Sequence, residues 1–235
     1  MSLTIVRLYH DLLGTYGDQG NAEVLVHRAK ARDIPVELIE ITPGMPVPTS
    51  GDIYLLGGGE DGPQTAALDL LRADGSLSAA VTSGAALFTV CAGFQLIGSS
   101  LPSADGEIIS GLGIVDVHTV YTNAPRSVGE LVCQPSSPGL PVFTGFENHQ
   151  GLTELGPEMQ PLGMVKRGIG NGFAGTEGVW HGKVIGTYMH GPALVRNPEL
   201  ADILLASAVG DLAEFHDPYA DALASERRKT LWSRD

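Results

Sequence analysis

Four apolar runs near the start of the chain alternate with segments of helical periodicity, and that alternation restricts the fold more than any other feature. The runs are Thr4–Tyr9 (TIVRLY), Pro35–Ile41 (PVELIEI), Asp52–Leu56 (DIYLL) and Leu87–Val90 (LFTV). Helical patterns fall between them, from Asn21 to Arg32 with Asn21 as the expected N-cap, and over residues 63–82 with a break near Asp74-Gly75. A further helix, Ala92–Ser99, follows the fourth run. Strands as apolar as DIYLL and LFTV need cover on both faces, which helices supply around a parallel sheet. Ligand sites in such sheets lie beyond the carboxyl ends of the strands. Two loops occupy that position: Gly57-Gly58-Gly59-Glu60-Asp61 and the turn carrying Cys91.

The pattern changes from Gly113 to Thr187. Short runs (GIVDV, VGELV, PVFTGFE, VIGTY) separated by Gly, Pro and Asn predict an antiparallel extension and return strands instead of further βαβ units. Pro198–Val209 and Tyr219–Trp232 read as two helices, and Arg227-Arg228-Lys229 as the solvated last turn of the second. No internal repeat, low-complexity tract or linker interrupts the chain, so the expectation is a single α/β domain over residues 1–235.

Composition narrows the function. The 235 residues carry a formal net charge of −13 with scattered basic residues, which disfavours a nucleic-acid partner. With 43% hydrophobic and 17% charged residues, the chain can bury a core and does not have the composition of a disordered protein. No apolar stretch approaches the roughly 20 residues that span a bilayer, and the N-terminus lacks a signal-peptide pattern. A cytoplasmic location without membrane insertion is expected. Two cysteines, Cys91 and Cys133, sit in unlike contexts and imply no disulfide framework.

Cys91 lies in Thr89-Val90-Cys91-Ala92-Gly93-Phe94-Gln95-Leu96, between an apolar strand and a helix. That is the setting of a nucleophile elbow, where a sharp turn presents the side chain above the sheet. Ala92 and Gly93 leave room for the backbone to approach closely. A helix N-terminus favours an anion by about 0.3–2 kcal/mol, but it supplies no proton to a leaving group. A histidine is needed for that. A buried core cysteine is the plain alternative.

Seven histidines are available. His27 reads as mid-helix, His181 as a turn residue, His216 as part of a polar linker and His118 as part of a β-like run. His10 follows the first strand and is a minor candidate to face the site. His190 ends the run Val184–Met189 and can meet a nucleophile at the end of a neighbouring strand, with His149 as its rival.

Together these motifs resemble a known family. The Gly57-Gly58-Gly59 loop, Cys91-Ala92-Gly93-Phe94-Gln95, Gly145–Gly151 (GFENHQG), Tyr188-Met189-His190-Gly191-Pro192 and Tyr16–Asn21 (YGDQGN) are similar to the class I glutamine amidotransferases of the cobyric acid synthase-like (CobB/CobQ) branch. Within it they look like the glutaminase subunits of lipid II isoglutaminyl synthases. The resemblance implies a three-layer α/β/α, flavodoxin-like fold. It also implies a glutaminase whose nucleophile is Cys91 and whose general acid/base is His190. The N–H groups of Ala92 and Gly58 would form the oxyanion hole, and Arg126 would hold the carboxylate of L-glutamine. Gln95 would lie over the pocket, with Asn148 and His149 lining it.

The resemblance further implies a Mur-ligase-like (MurT-like) partner in a heterodimer, which amidates D-glutamate of lipid II in peptidoglycan synthesis at the inner face of the membrane. No Gly-x-x-x-x-Gly-Lys-Ser/Thr loop is present, so ATP and magnesium are expected on the partner, with no metal or cofactor in this chain. An amidotransferase for a corrinoid-type carboxylate and a cysteine hydrolase of related fold are the alternatives. One departure stands out. Many relatives carry His-x-Glu, whereas here the third position is Pro192, which has no carboxylate to orient His190. The expectation is that a partner subunit supplies that carboxylate, leaving the isolated chain weakly active.

Overall fold

The two most apolar runs of the sequence become the two central strands of the largest sheet in the computed structural model, which describes residues 2–232. These are β3 (Ile53–Leu56) and β4 (Ala86–Val90), buried at every position. They are joined by β1 (Leu3–Leu8) and β2 (Val36–Ile41), and by the late strands β13 (Val179–His181) and β14 (Val184–Thr187). The order is β13-β14-β4-β3-β1-β2, parallel throughout except for the antiparallel edge strand β13.

Strands without a polar face need cover on both sides, and the helices form two groups accordingly. Helix α1 (Gly20–Lys30) packs with α5 (Ala193–Arg196) and α6 (Pro198–Val209), and α7 (Pro218–Trp232) packs on α5 and α6. Helix α2 (Asp61–Asp74) packs with α3 (Ser76–Thr82) and with the short α4 (Ala92–Leu96). The break foreseen at Asp74-Gly75 is real: Gly75 has φ 71°, a left-handed conformation that ends α2 and starts α3.

The middle of the chain departs from the expected extension by building two further four-stranded sheets. One contains β5 (Ser100–Pro102), β6 (Ile108–Ser110), β7 (Val117–Tyr121) and β10 (Gly151–Leu155). The other contains β8 (Ser127–Pro135), β9 (Phe143–His149), β11 (Gly163–Arg167) and β12 (Thr176–Glu177). The GIVDV run is largely loop, and its strand begins only at Val117, because the N–H groups of Ile114 and Val115 bond back to Ile97 instead of to a ladder.

Two local expectations are corrected. Asn21 lies inside α1, not at its cap, and its side-chain oxygen accepts the Leu194 N–H at 2.9 Å, tying α1 to α5. Arg228 is not a solvated terminal charge: it forms a fork with Glu199 at 3.0 and 2.5 Å and donates to the Val142 carbonyl at 2.9 Å, fastening α7 to the body. Among the described residues no helix is long and apolar enough to cross a membrane.

Candidate active site

Four strands of the parallel sheet deliver their carboxyl ends to one place. The chain leaves β1 towards Asp18, β3 towards Gly58, β4 at Cys91 and β14 towards His190. A Cβ placed on Gly58 would lie 2.5 Å from His190 Cε1, 3.3 Å from Asp18 Oδ2 and 3.3 Å from Cys91 Cβ. One methyl group would therefore touch all three side chains. Glycine is required at this position because they converge on it.

Cys91 has φ 50° and ψ −107°, a conformation that non-glycine residues avoid and that marks a strained elbow. Its backbone is held from both sides: its N–H donates to Thr187 O at 2.8 Å, and its carbonyl accepts the Gln95 N–H at 3.0 Å. A Cβ on Gly93 would meet the carbonyl oxygens of Gly57 and Leu56 at 2.8 and 2.9 Å, so the elbow tolerates no larger residue there. Helix α4, however, spans only Ala92–Leu96, shorter than expected, so its dipole lends the sulfur little support.

His190 is 1% exposed, and its N–H and C=O pair with Phe146 of β9 at 2.8 and 3.1 Å. The run before it is anchored by Glu177, whose Oε1 accepts Thr187 Oγ1 at 2.5 Å and the Tyr188 N–H at 2.9 Å. Burial pushes the Glu177 carboxyl up to about 7 against these hydrogen bonds. Burial likewise pushes the Cys133 thiol up, with the Glu177 charge adding to it, so Cys133 is an inert core thiol.

The carboxylate that Pro192 cannot provide is present in the chain. Asp18 Oδ2 lies 2.9 Å from His190 Nδ1, and both side chains are almost completely buried. This corrects the expectation that a partner must supply the orienting group. A search two positions along the sequence could not reveal it, because the pair is separated by 172 residues. The Tyr-Gly-Asp-Gln-Gly-Asn stretch was the available signal. Pro192 instead caps α5, accepting the Val195 N–H at 3.1 Å, and its ring fills the space beside Gly20.

Burial alone would lower the His190 pKa, yet the hydrogen bond to Asp18 and the neighbouring Cys91 outweigh it and raise the imidazole to about 10. Both neighbours thus favour the protonated imidazole. Its Nε2 is buried without a hydrogen-bond partner. Cys91, His190 and Asp18 thus stand together as a nucleophile, an acid/base and an orienting carboxylate would need to.

Several expected pocket residues stand in other roles. The Gly58 N–H donates to Asp18 Oδ2 at 2.8 Å, so in this conformation it is not an oxyanion donor. The Ala92 N–H lies in the first turn of α4, where no intrahelical acceptor exists. Gln95 does not lie over a pocket. It is 5% exposed, donates to Tyr188 Oη at 3.1 Å and accepts Gln64 Nε2 at 2.8 Å. Gln64, which the sequence did not single out, also donates to Ala92 O at 3.2 Å and so braces the elbow.

His149 is 2% exposed, stacked on Tyr188 with ring centroids 3.8 Å apart. Its nitrogens face Gly151 O and Glu147 Oε2 at 2.8 and 3.2 Å, so the ring is a core element and does not line the pocket. Glu147 also accepts the N–H groups of Ile169 and Gly170 at 2.8 and 2.9 Å, which holds the loop after β11.

Asn148 and Arg126 do sit at the mouth. The Asn148 carbonyl lies 4.0 Å from Cys91 Sγ and accepts Arg126 Nη2 at 3.2 Å. The Asn148 side chain bonds both Arg126 Nε and the Tyr16 hydroxyl. Tyr16, also missed by the sequence reading, has φ 58° and sets its ring edge-on to His190, 5.0 Å away, while remaining 43% exposed. The remaining histidines lie elsewhere: His27 and His216 pair with surface carboxylates, and His118 with Ser100 and Asp116.

Comparison with known proteins shows the family. The model of the CobB/CobQ-like glutamine amidotransferase domain matches residues 4–198. The lipid II isoglutaminyl synthase (glutamine-hydrolyzing) subunit GatD of Staphylococcus aureus is 37% identical over 88% of this chain and 84% of its own length. The subunit of the same name from Streptococcus pneumoniae is 34% identical over 88% of this chain and 80% of its own. Among solved structures, a glutamine amidotransferase aligns with a TM-score of 0.58 at 20% identity, over 87% of this chain and 98% of that one, which shows a shared fold. The chain belongs to the CobB/CobQ-like glutamine amidotransferases.

Proposed function

We propose that this chain is the glutaminase subunit of a two-subunit amidotransferase, hydrolysing L-glutamine through a thioester on Cys91. The observation that carries this reading is the convergence of Cys91, His190 and Asp18 beyond the sheet. Cys91 Sγ, paired with the imidazolium of His190, attacks the side-chain carbonyl carbon of glutamine. The oxyanion forms against the Ala92 N–H. His190 Nε2 then protonates the departing amine, the C–N bond breaks, and ammonia leaves with the thioester on Cys91. Water, deprotonated by His190, opens the thioester, giving glutamate and the free thiol. Asp18 accepts the Nδ1–H of His190 and so leaves Nε2 as the nitrogen that gives up and takes back the mobile proton.

Arg126 holds the α-carboxylate of glutamine once substrate displaces its bonds to Asn148, since a guanidinium fork fits a carboxylate plane. Loss of a charged hydrogen bond costs about 1.5–3 kcal/mol, so Arg126→Ala is expected to raise KM for glutamine about 10- to 150-fold with a smaller change in kcat. Steady-state kinetics check it.

The similarity to GatD supports a further assignment: ammonia passes to a Mur-ligase-like synthetase that amidates D-glutamate of lipid II. ATP and magnesium are held by that partner, in the cytoplasm. Reaction with a diazo-ketone analogue of glutamine tests the chemistry. Mass spectrometry should find one adduct, on Cys91, and labelling of Cys133 or no labelling would contradict the mechanism. Co-purification with a Mur-ligase-like protein tests the assembly.

A further inference from the structure

Asp18 uses only one of its carboxylate oxygens in the relay. Oδ2 accepts from both His190 and the Gly58 N–H, whereas Oδ1 is buried and has no partner. Two more buried polar atoms in the same neighbourhood are equally unpaired: Arg7 Nε and His10 Nδ1. Arg7, His10 and Asp18 line one small cavity of about 10 Å³, with Leu13, Leu56 and Phe88 among its other walls. Three orphaned polar atoms around one cavity are not the signature of a dry apolar void, since buried polar groups are satisfied by protein or by ordered water.

We propose that a single water fills this cavity, joining His10 Nδ1 and Arg7 Nε to Asp18 Oδ1, and that His10 is a positioning residue of the active site acting through Asp18. The volume is close to the roughly 10–15 Å³ that one water requires, and three hydrogen bonds are the usual number for a buried water. Arg7 Nε–H donates to the water, and the water donates to Asp18 Oδ1. Its remaining bond is to His10 Nδ1. Arg7 is itself held by Glu40 and by the Gln19 carbonyl, so the water has a fixed anchor on its far side. With Oδ1 engaged, the Asp18 carboxylate is fixed in rotation, and Oδ2 stays on the line to His190. Without it, the carboxylate has an unsatisfied buried oxygen and a reason to turn away.

This inference rests on the glutaminase reading for its kinetic consequence but not for the water itself, and the two are tested separately. In the full chain, His10→Leu removes the polar atom while keeping bulk, and His10→Asn retains a side-chain donor near the Nδ1 position. Glutamine hydrolysis by His10→Leu is expected to show kcat lowered about 10-fold with KM within about twofold of the parent, as for loss of an outer-shell orienting group. His10→Asn should restore kcat to within about threefold. Equal impairment of both variants indicates packing alone and overturns the proposal, as does an unchanged kcat in His10→Leu. A high-resolution crystal structure of the parent chain decides the water independently of activity: density within hydrogen-bond reach of all three atoms supports it, and an empty cavity overturns it. A parent chain inactive on glutamine would remove the glutaminase reading while leaving the crystallographic result to stand.

Discussion

Cys91→Ala is expected to abolish glutamine hydrolysis, with a loss on the order of 10⁴- to 10⁶-fold, as when the nucleophile of a cooperating triad is removed. Of the two cysteines, Cys91 stands at the sheet's carboxyl end, whereas Cys133 is buried away from the mouth with its ionisation suppressed. The substitution removes one atom from a side chain that is 8% exposed. The backbone at φ 50° is held by hydrogen bonds that alanine retains, so the variant should fold with a melting temperature near that of the parent. Ammonia release and thermal unfolding, measured on the same preparation, separate lost chemistry from lost structure. Residual hydrolysis above about one per cent of the parent would place the nucleophile elsewhere.

Asp18→Asn is expected to lower kcat about 10²- to 10⁴-fold, because an amide neither fixes the His190 tautomer nor stabilises the imidazolium. The pH dependence follows from the raised His190 pKa. A histidine whose folded pKa exceeds its unfolded value stabilises the native state fully below about 6.5, and that contribution is lost as pH rises through the folded value of about 10. Asp18→Asn should therefore lower the melting temperature clearly at neutral pH and much less near pH 10. Since Asp18 is one of the groups holding the imidazole pKa up, the alkaline limb of the pH–rate profile should move to lower pH in the variant.

The parts of this site that were legible in the sequence are those encoded by neighbours in the chain. Cys91 announced itself through an apolar strand before it and small residues after it, and His190 through the strand that ends at its door. Local pattern put both residues forward, and the family resemblance gave them their roles. Asp18 was hidden because its partner is 172 residues away, joined only when β1 and β14 deliver their ends to the same face. His149 and Gln95 failed for the opposite reason. Their motifs adjoin the active residues, but alternation along β9 and the burial of α4 turn both side chains into the core. Tyr16 was unreadable because its position depends on a left-handed backbone in a loop. The two additional sheets were foreseen only as an antiparallel extension, since short β runs separated by Gly and Pro specify strands without specifying which strands they meet.

The relay is completed within one chain, so the imidazole is already oriented. Two other groups expected at the pocket are engaged elsewhere in this conformation: the Gly58 N–H is held by Asp18, and Arg126 by Asn148.

The most direct test compares glutamine hydrolysis by the purified chain alone with that of Asp18→Asn, across a range of about pH 6 to 10. The account predicts measurable turnover by the parent, a loss of at least about 100-fold in the variant, and an alkaline limb displaced to lower pH. Equal turnover with superimposable pH profiles would contradict it, and would return the orienting carboxylate to a second subunit.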